Sequence, residues 1–299
     1  MIDPVAFQLG PIPVHWYGIF IAAAALLGTV LATRVARWLN EDSEQAWSML
    51  LIVMVFAIVG ARLYHVIHLW DHYLANPIEI PQIWNGGLGI PGGIAGGALG
   101  VFVYTRSQGL NAARWMDVAA PALLLGQAIG RLGNFVNQEL YGPPTSLCGT
   151  EFPPCLPFGI QIDAAHRVGT SWDAVTYPVE TTQFVPLFAY EAVLNLIGAA
   201  VLLFVIRRFG RRLFAGDAVL LYIMWYGAVR SFLELYRVNN WTILGLPTAM
   251  WLGIIGFVLA LAWLVIRHRR GWGSPMIRPA EEPRTDAPAP QAQAEPSAG

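Results

Sequence analysis

Again and again between residues 15 and 267 the chain runs for about twenty residues on mostly apolar side chains, the length that crosses roughly 30 Å of hydrocarbon. Inside a bilayer there is no water to satisfy backbone N–H and C=O groups, so segments of this length must be helices. The windows fall near 15–35, 46–69, 88–106, 114–136, 185–207, 216–237 and 247–267. They predict an all-α polytopic membrane protein with seven transmembrane helices. Composition agrees: 56% of the residues are hydrophobic and 12% charged, whereas a soluble domain carries about 25% charge.

Arginine is distributed unevenly about these windows. Arg34 and Arg37, Arg106 and Arg114, the run Arg207, Arg208, Arg211 and Arg212, and the group Arg267, Arg269 and Arg270 lie at one set of span ends. The positive-inside rule makes those ends cytoplasmic. The opposite joins are DHYLANPIEIPQIWN, which has no basic residue, a loop of about forty residues after Gly142, and NNWTILG. The N-terminus is therefore expected outside and the C-terminus in the cytoplasm. Residues 1–270 form the seven-helix unit, 143–184 a small extracytoplasmic cap with short strands in FGIQID and VTYPVE, and 271–299 a disordered tail rich in Pro, Ala and Glu. The stretch MIDPVAFQLGPIPVHWYG lacks a basic n-region and reads as retained, not as a cleaved signal peptide.

Several chemistries drop out at once. All eighteen basic residues are arginine, which removes Schiff-base and P-loop lysine chemistry. No basic run is interleaved with aromatics, so no nucleic-acid partner is expected. GGLGIPGGIAGG contains the spacing of a dinucleotide fingerprint at Gly87, Gly89 and Gly92, but it opens an apolar span and has no βαβ context. Its glycines have two open readings. Small-xxx-small pairs, Gly93 with Gly97 and Gly96 with Gly100, let helices pack closely, while exposed N–H groups around Gly92 and Gly93 suit an anionic headgroup. Cys148 and Cys155, in CGTEFPPC, are either a disulfide staple or a reactive thiol. His65, His68 and His72 share a helix face beside Asp71 and are either ordinary interfacial histidines or a metal face. No second ligand cluster completes that set, and no metal is expected.

Charge inside the spans is the sharper signal. An arginine at mid-bilayer costs about 2.5–3.5 kcal/mol or more and is functional by default. Arg131 lies fourteen residues beyond Asp117 in the fourth span, roughly 21 Å along a helix. Arg230 lies thirteen beyond Asp217 in the sixth, roughly 20 Å. If the two aspartates mark one face of the membrane, the arginines share a depth, and Tyr17 in the first span falls in the same outer layer. On the sixth span Tyr226, Arg230, Glu234 and Arg237 recur at helical spacing and line one face. A salt bridge locking helices together would explain Arg230 and Glu234 alone. It leaves Arg131, Asn134, Asn137 and Glu139 unexplained, whereas a pocket for the phosphate or carboxylate of a lipid accounts for all of them.

These residues carry a resemblance. GRLGNFVNQELYG, with WYG at 16–18, GARLYHV at 60–66, GGLGIPGG at 86–93 and YGAVRSFLELYR at 226–237, resembles the bacterial prolipoprotein diacylglyceryl transferase family in motif order over nearly the whole chain. The resemblance implies an enzyme of the bacterial plasma membrane. It would move the diacylglyceryl group of phosphatidylglycerol onto the lipobox cysteine thiol in a preprolipoprotein signal peptide and release glycerol 1-phosphate, without a cofactor. It makes Arg131, Arg230, Tyr17 and Glu139 the catalytic candidates. Asn134, Gly142, Tyr226, Glu234, Arg237, Gly92 and Gly93 would join Arg131 and Arg230 in binding phosphatidylglycerol. Two positions depart from the family pattern. Pro91 stands where many members have a histidine proposed as base, and FVPLFAYE replaces a histidine-containing segment while keeping Pro186, Tyr190 and Glu191.

Phosphate departure fits paired arginines, because the phosphate moves from one negative charge toward two as the ester bond breaks. A transporter or anion channel using the same arginines is the rival class, and the absence of paired halves in the sequence weighs against it. The orientation is directly testable. Reporter fusions after Trp84 should report the outer side and fusions after Gly210 the cytoplasm; the reverse pattern would overturn the depth argument.

Overall fold

The computed structural model describes residues 3–10, 12–83, 86–156, 158–167, 172–237 and 242–279. A short antiparallel hairpin, β1 (Val5–Leu9) and β2 (Ile12–His15), leads into α1 (Trp16–Trp38). Then come α2 (Gln45–His68), the short α3 (Trp70–Ala75), α4 (Ile90–Ser107), α5 (Ala112–Val136), α6 (Leu187–Phe209) and α7 (Asp217–Glu234). A two-residue ladder, β3 (Thr242–Ile243) with β4 (Leu246–Pro247), precedes α8 (Thr248–Arg270). The seven long helices match the seven apolar windows. Four segments, Trp16–Trp38, Gln45–His68, Leu187–Arg212 and Thr248–Arg270, are long and apolar enough to cross a membrane. The other three spend apolar positions otherwise: α4 on glycines, α5 and α7 on charged and amide side chains.

Local chemistry sets the helix ends. Asn40, with φ of 58°, takes the left-handed conformation that closes α1, and the Glu41 N–H donates back to Ala36 at 2.9 Å. The Asn111 side chain accepts the Arg114 N–H at 3.1 Å and caps α5. Pro91 sits in the first turn of α4, where its missing N–H leaves no helical bond unmade.

Backbone contact between glycines carries much of the packing. A Cβ at Gly92 would lie 2.1 Å from the Gly60 carbonyl oxygen, and one at Gly96 would lie 2.2 Å from that of Phe56. The α2–α4 seam therefore runs through Gly92, Gly96 and Gly100. Gly93 and Gly97 meet only ordinary contacts at 3.6 and 3.7 Å, so of the two predicted pairs it is Gly96 with Gly100 that packs closely. Gly227 and Gly253 join α7 to α8 in the same way, each Cβ clashing with the other's carbonyl at 2.5 and 2.7 Å. Outward, Leu51, Ile67, Phe204, Leu252 and Leu259 are each more than 60% exposed, an apolar belt suited to lipid.

At the end opposite the hairpin, carboxylates and arginines tie the helices together. Asp117 accepts the Gly216 N–H at 2.6 Å and the Val219 N–H at 3.0 Å, fixing the first turn of α7 to α5. Asp217 pairs with Arg267 at 3.2 Å and His268 at 2.6 Å on α8. Arg114 pairs with Glu41 and donates to the Pro275 carbonyl at 3.1 Å. Residues 271–279, assigned by composition to the disordered tail, are instead ordered here: Met276 is fully buried, its N–H donates to Leu213, and Arg278 reaches Leu39. Composition misled because Met276 and Ile277 supply apolar anchors within a polar stretch. Residues 280–299 lie outside the described residues.

The insertion between α5 and α6 folds back on its own ends. Phe184 makes isolated bridges with Pro144 and Ile160 over a small core of Ile162, Trp172 and Phe184. FGIQID thus contributes one bridge, not a strand, and VTYPVE is turn. Cys148 and Cys155 are joined in a disulfide. The glycine seam can be probed directly: Gly96→Val forces α2 and α4 apart and should cost about 1–3 kcal/mol, read as a lower melting temperature in detergent. Gly97→Ala, whose Cβ has ordinary room, should melt like the parent; equal losses would reject the seam.

Candidate active site

The site begins where α5 ends. Gln138 and Leu140 hold φ of 51° and 58°, a left-handed kink that turns the chain back so that the Glu139 N–H donates to the Asn134 carbonyl at 3.0 Å. The Glu139 carboxylate then lies over the last helical turn, accepting from Asn134 Nδ2 at 2.8 Å and Asn137 Nδ2 at 3.3 Å. Gln138 locks this turn to the cap through a reciprocal pair with Asp163, at 2.6 and 2.8 Å. Gly142 donates to the Val185 carbonyl at 2.8 Å, and a Cβ there would press on Val185 and Leu187 at 3.1 Å. It fastens the signature to the start of α6.

Arg131 is gripped from both sides. Its Nη1 donates to Asn134 Oδ1 at 2.8 Å and its Nη2 to Glu191 Oε1 on α6. Arg131, Asn134 and Glu139 thereby form one relay in which each amide group is both donor and acceptor. Arg230 on α7 and Arg237 just past its end lie 3.0 and 3.9 Å from the same oxygen of buried Glu234. The two halves meet electrostatically: Tyr226 interacts with Glu191, Arg230, Arg131 and Arg237, and Arg237 with Arg230, Glu234, Glu191 and Arg131. Arg131 and Arg230 are thus within electrostatic reach of the same tyrosine and arginine, and they lie at similar distances, fourteen and thirteen residues, beyond Asp117 and Asp217. Those two aspartates do share a level, because Asp117 holds the turn that opens α7.

Tyr17 is brought to the signature by α1. Its ring covers Gly133, where a Cβ would fall 2.3 Å from Cδ2. Gly92 and Gly93 have a different setting: their nearest neighbours are Gly60, Tyr64, Ala57 and Ala61 of α2, so they pack the α2–α4 seam. The three histidines of α2 and α3 disperse, His72 pairing with Glu79 at 2.9 Å, His65 packing edge-on to Tyr73 and His68 stacking on Tyr64. Among the described residues no group of three or more His, Cys, Asp or Glu is placed to hold a metal.

Glu191 is the residue that reading the spans alone passes over. It sits in an apolar helix without a charged neighbour in sequence; only the outline of FVPLFAYE pointed to it. Gln127 and Tyr222 were likewise silent, yet Gln127 Nε2 donates to the Tyr222 hydroxyl at 2.8 Å one turn beneath the cluster.

With this geometry in place, the comparisons are decisive. The family profile described as Prolipoprotein diacylglyceryl transferase matches residues 4–266. The chain belongs to the prolipoprotein diacylglyceryl transferase family. It is 38% identical over 285 residues to a phosphatidylglycerol-prolipoprotein diacylglyceryl transferase of Chloroflexus aggregans, covering 90% of each chain. It is also 36% identical over 269 residues to the Streptococcus mutans protein of that name, covering 90% of this chain and 96% of the other. Membership of this family does not favour the transporter alternative.

The family signature here places Gly133 under the Tyr17 ring, which sets a test. Gly133→Ala should displace that ring and lower turnover about 10- to 100-fold while melting within a few degrees of the parent. Gly130→Ala, whose Cβ meets nothing within 4 Å, should retain activity; equal behaviour of the two would detach Tyr17 from the site.

Proposed function

We propose that this chain transfers the diacylglyceryl group of phosphatidylglycerol to the lipobox cysteine of preprolipoprotein signal peptides, releasing glycerol 1-phosphate. The observation that carries the reading is the joint charge cluster of Arg131, Arg230 and Arg237 with Glu191, Glu234 and Tyr226, formed at one level by α5, α6 and α7. Seven crossings, with the N-terminus outside and the C-terminus in the cytoplasm of the plasma membrane, place that level in the outer leaflet. Both substrates meet there.

In this mechanism the cysteine sulfur attacks the glyceryl carbon that bears the phosphate ester. A carbon–sulfur bond forms, the carbon–oxygen bond breaks, and its electron pair leaves on the phosphate oxygen. The thiol proton passes to Glu139, the exposed carboxylate of the Arg131 relay, with Tyr17 close to that relay through Gly133. A free thiol has a pKa of about 8.5, so part of it is already thiolate at neutral pH and the base need not be strong. This suits a chain with Pro91 where many members carry a histidine. Arg131 and Arg230 act where negative charge develops, Asn134 orients Arg131, and Tyr226, Glu234 and Arg237 complete the phosphate pocket. Gly142, Gly92 and Gly93 contribute by holding the helices and loops that shape it.

The test is reconstitution with phosphatidylglycerol and a lipobox cysteine peptide. Lipid should be consumed only when the peptide thiol is present; consumption without it, or none with it, rejects the reading. Arg131→Ala and Arg230→Ala should each lose about 2.7–4 kcal/mol of transition-state stabilisation, roughly 10²- to 10³-fold in turnover. Arg131→Lys should keep lipid affinity better than turnover, because lysine retains the charge and loses the planar fork. Equal losses in affinity with an unchanged bound-state rate would reduce the arginines to anchors.

A further inference from the structure

One helical turn beneath the Arg131–Glu191 pair lies a set of buried polar atoms that the transfer mechanism does not use. Asn195 on α6 is fully buried, and neither its Oδ1 nor its Nδ2 has a hydrogen-bond partner. Gln127 Oε1 and Arg131 Nε on α5 are also buried without partners. The register of the two antiparallel helices brings these groups together. Arg131 meets Glu191, and further along Leu124 and Ala199 share one packed cluster. Asn195 is halfway between Glu191 and Ala199, and Gln127 with Ala128 halfway between Arg131 and Leu124, so Asn195 and Gln127 stand at the same level. Tyr222 on α7 closes the third side, accepting from Gln127 Nε2 at 2.8 Å and stacking on Tyr226 with ring centroids 6.1 Å apart.

The chemistry of these atoms is complementary to one kind of ligand. Arg131 Nε and Asn195 Nδ2 are donors; Gln127 Oε1 and Asn195 Oδ1 are acceptors. Two unmet donors and two unmet acceptors match the two lone pairs and two hydrogens of a water molecule. A cation would be repelled by the donors and Arg131, and an anion by the two carbonyl oxygens. An apolar ligand would leave all four groups unmet.

We propose that Asn195, Gln127 and Arg131 Nε bind an ordered water beneath the charge cluster, and that this water makes Asn195 a positioning residue for Arg131. The water fixes the Nε edge of the guanidinium, Asn134 and Glu191 fix its Nη groups, and the planar fork is held rigidly at the level where phosphate charge develops. Rigid donors stabilise a transition state more than donors that must reorganise. The functional half of this proposal rests on the transferase reading above; the water itself does not.

The experiment is a structure of the full chain in lipid nanodiscs at a resolution that shows ordered water, with transfer kinetics on two variants. The parent should show density about 2.6–3.2 Å from Asn195 and Gln127 Oε1, and it should persist after delipidation. Density that disappears with the lipid belongs to a headgroup hydroxyl and overturns the water assignment, as does no density at all. Asn195→Leu keeps the volume but removes two of the four partners of the water, so it should melt no more than a few degrees below the parent. It should nevertheless lose the density and about 10- to 100-fold in kcat, with KM for lipid changed less than about threefold. Asn195→Ser, which leaves room and a hydroxyl, should recover most of that turnover. A purely structural Asn195 predicts the opposite: full activity in the leucine variant and a less stable serine variant. If parental protein shows the density but transfers nothing in the reconstituted assay, the transferase reading has failed and the water has not.

Discussion

The carboxylate of Asp117 fixes where everything else in this molecule falls. By accepting the N–H groups of Gly216 and Val219, it pins the first turn of α7 to a chosen level of α5. Two helices that start at one level and rise at the same 1.5 Å per residue carry residues at equal distances from that start to equal heights. Arg131 and Arg230, fourteen and thirteen residues on, come close to this condition, and their approach follows from an anchor about four turns away. Asp217 extends the anchor to α8 through Arg267 and His268, and Arg114 extends it to the α1–α2 connection through Glu41. This end of the bundle is tied together so that the opposite end can be chemically exact in its spacing.

How much of this was legible beforehand depends on the kind of interaction. The seven helices were, because length and hydropathy are one-dimensional properties that a bilayer reads directly. The Arg131 signature and the Tyr226–Arg237 stripe were, because a charge in an apolar run needs a reason. Glu191 and Asn195 were less so. A single polar residue in an otherwise apolar helix declares its purpose only when its partner on another helix is known, and α6 meets α5 far from either residue in sequence. The ordered segment 271–279 was missed for a related reason: Met276 becomes fully buried in a crevice made by residues 39, 213 and 215, which no local composition records. Of the two glycine pairs read from the sequence, Gly96 and Gly100 lie on the seam itself, whereas Gly93 and Gly97 meet only ordinary contacts because they sit on the neighbouring side of α4.

Glycine and arginine divide the work between helices. The segments with lipid-like surfaces, α1, α2, α6 and α8, supply the apolar exterior. The glycines of α4 and the Gly227–Gly253 crossing draw helix backbones close enough that dispersion and weak C–H contacts hold them, a necessity where lipid tails offer no hydrophobic drive to associate. Helices so bound keep α5 and α7 interior, where charged side chains meet one another and are spared contact with acyl chains.

The charge count of the cluster bears on catalysis. Arg131, Arg230 and Arg237 contribute three positive charges; Glu191 and Glu234 remove two, leaving one. If phosphatidylglycerol binds here as proposed, that residual charge matches the single negative charge of its phosphodiester, and bound lipid would spare the buried ion pairs an uncompensated charge. As the ester bond breaks, the phosphate moves toward two charges and exceeds what net charge can balance. The excess must be met by oriented hydrogen bonds, and here the fixed geometry matters: Arg131 is already held by Asn134 and Glu191, Arg230 by Glu234, and neither has to reorganise as the charge grows. A site with a larger positive excess would bind the lipid more tightly in its ground state and hold the phosphate product longer. Near-neutrality with rigid donors instead favours the transition state over both.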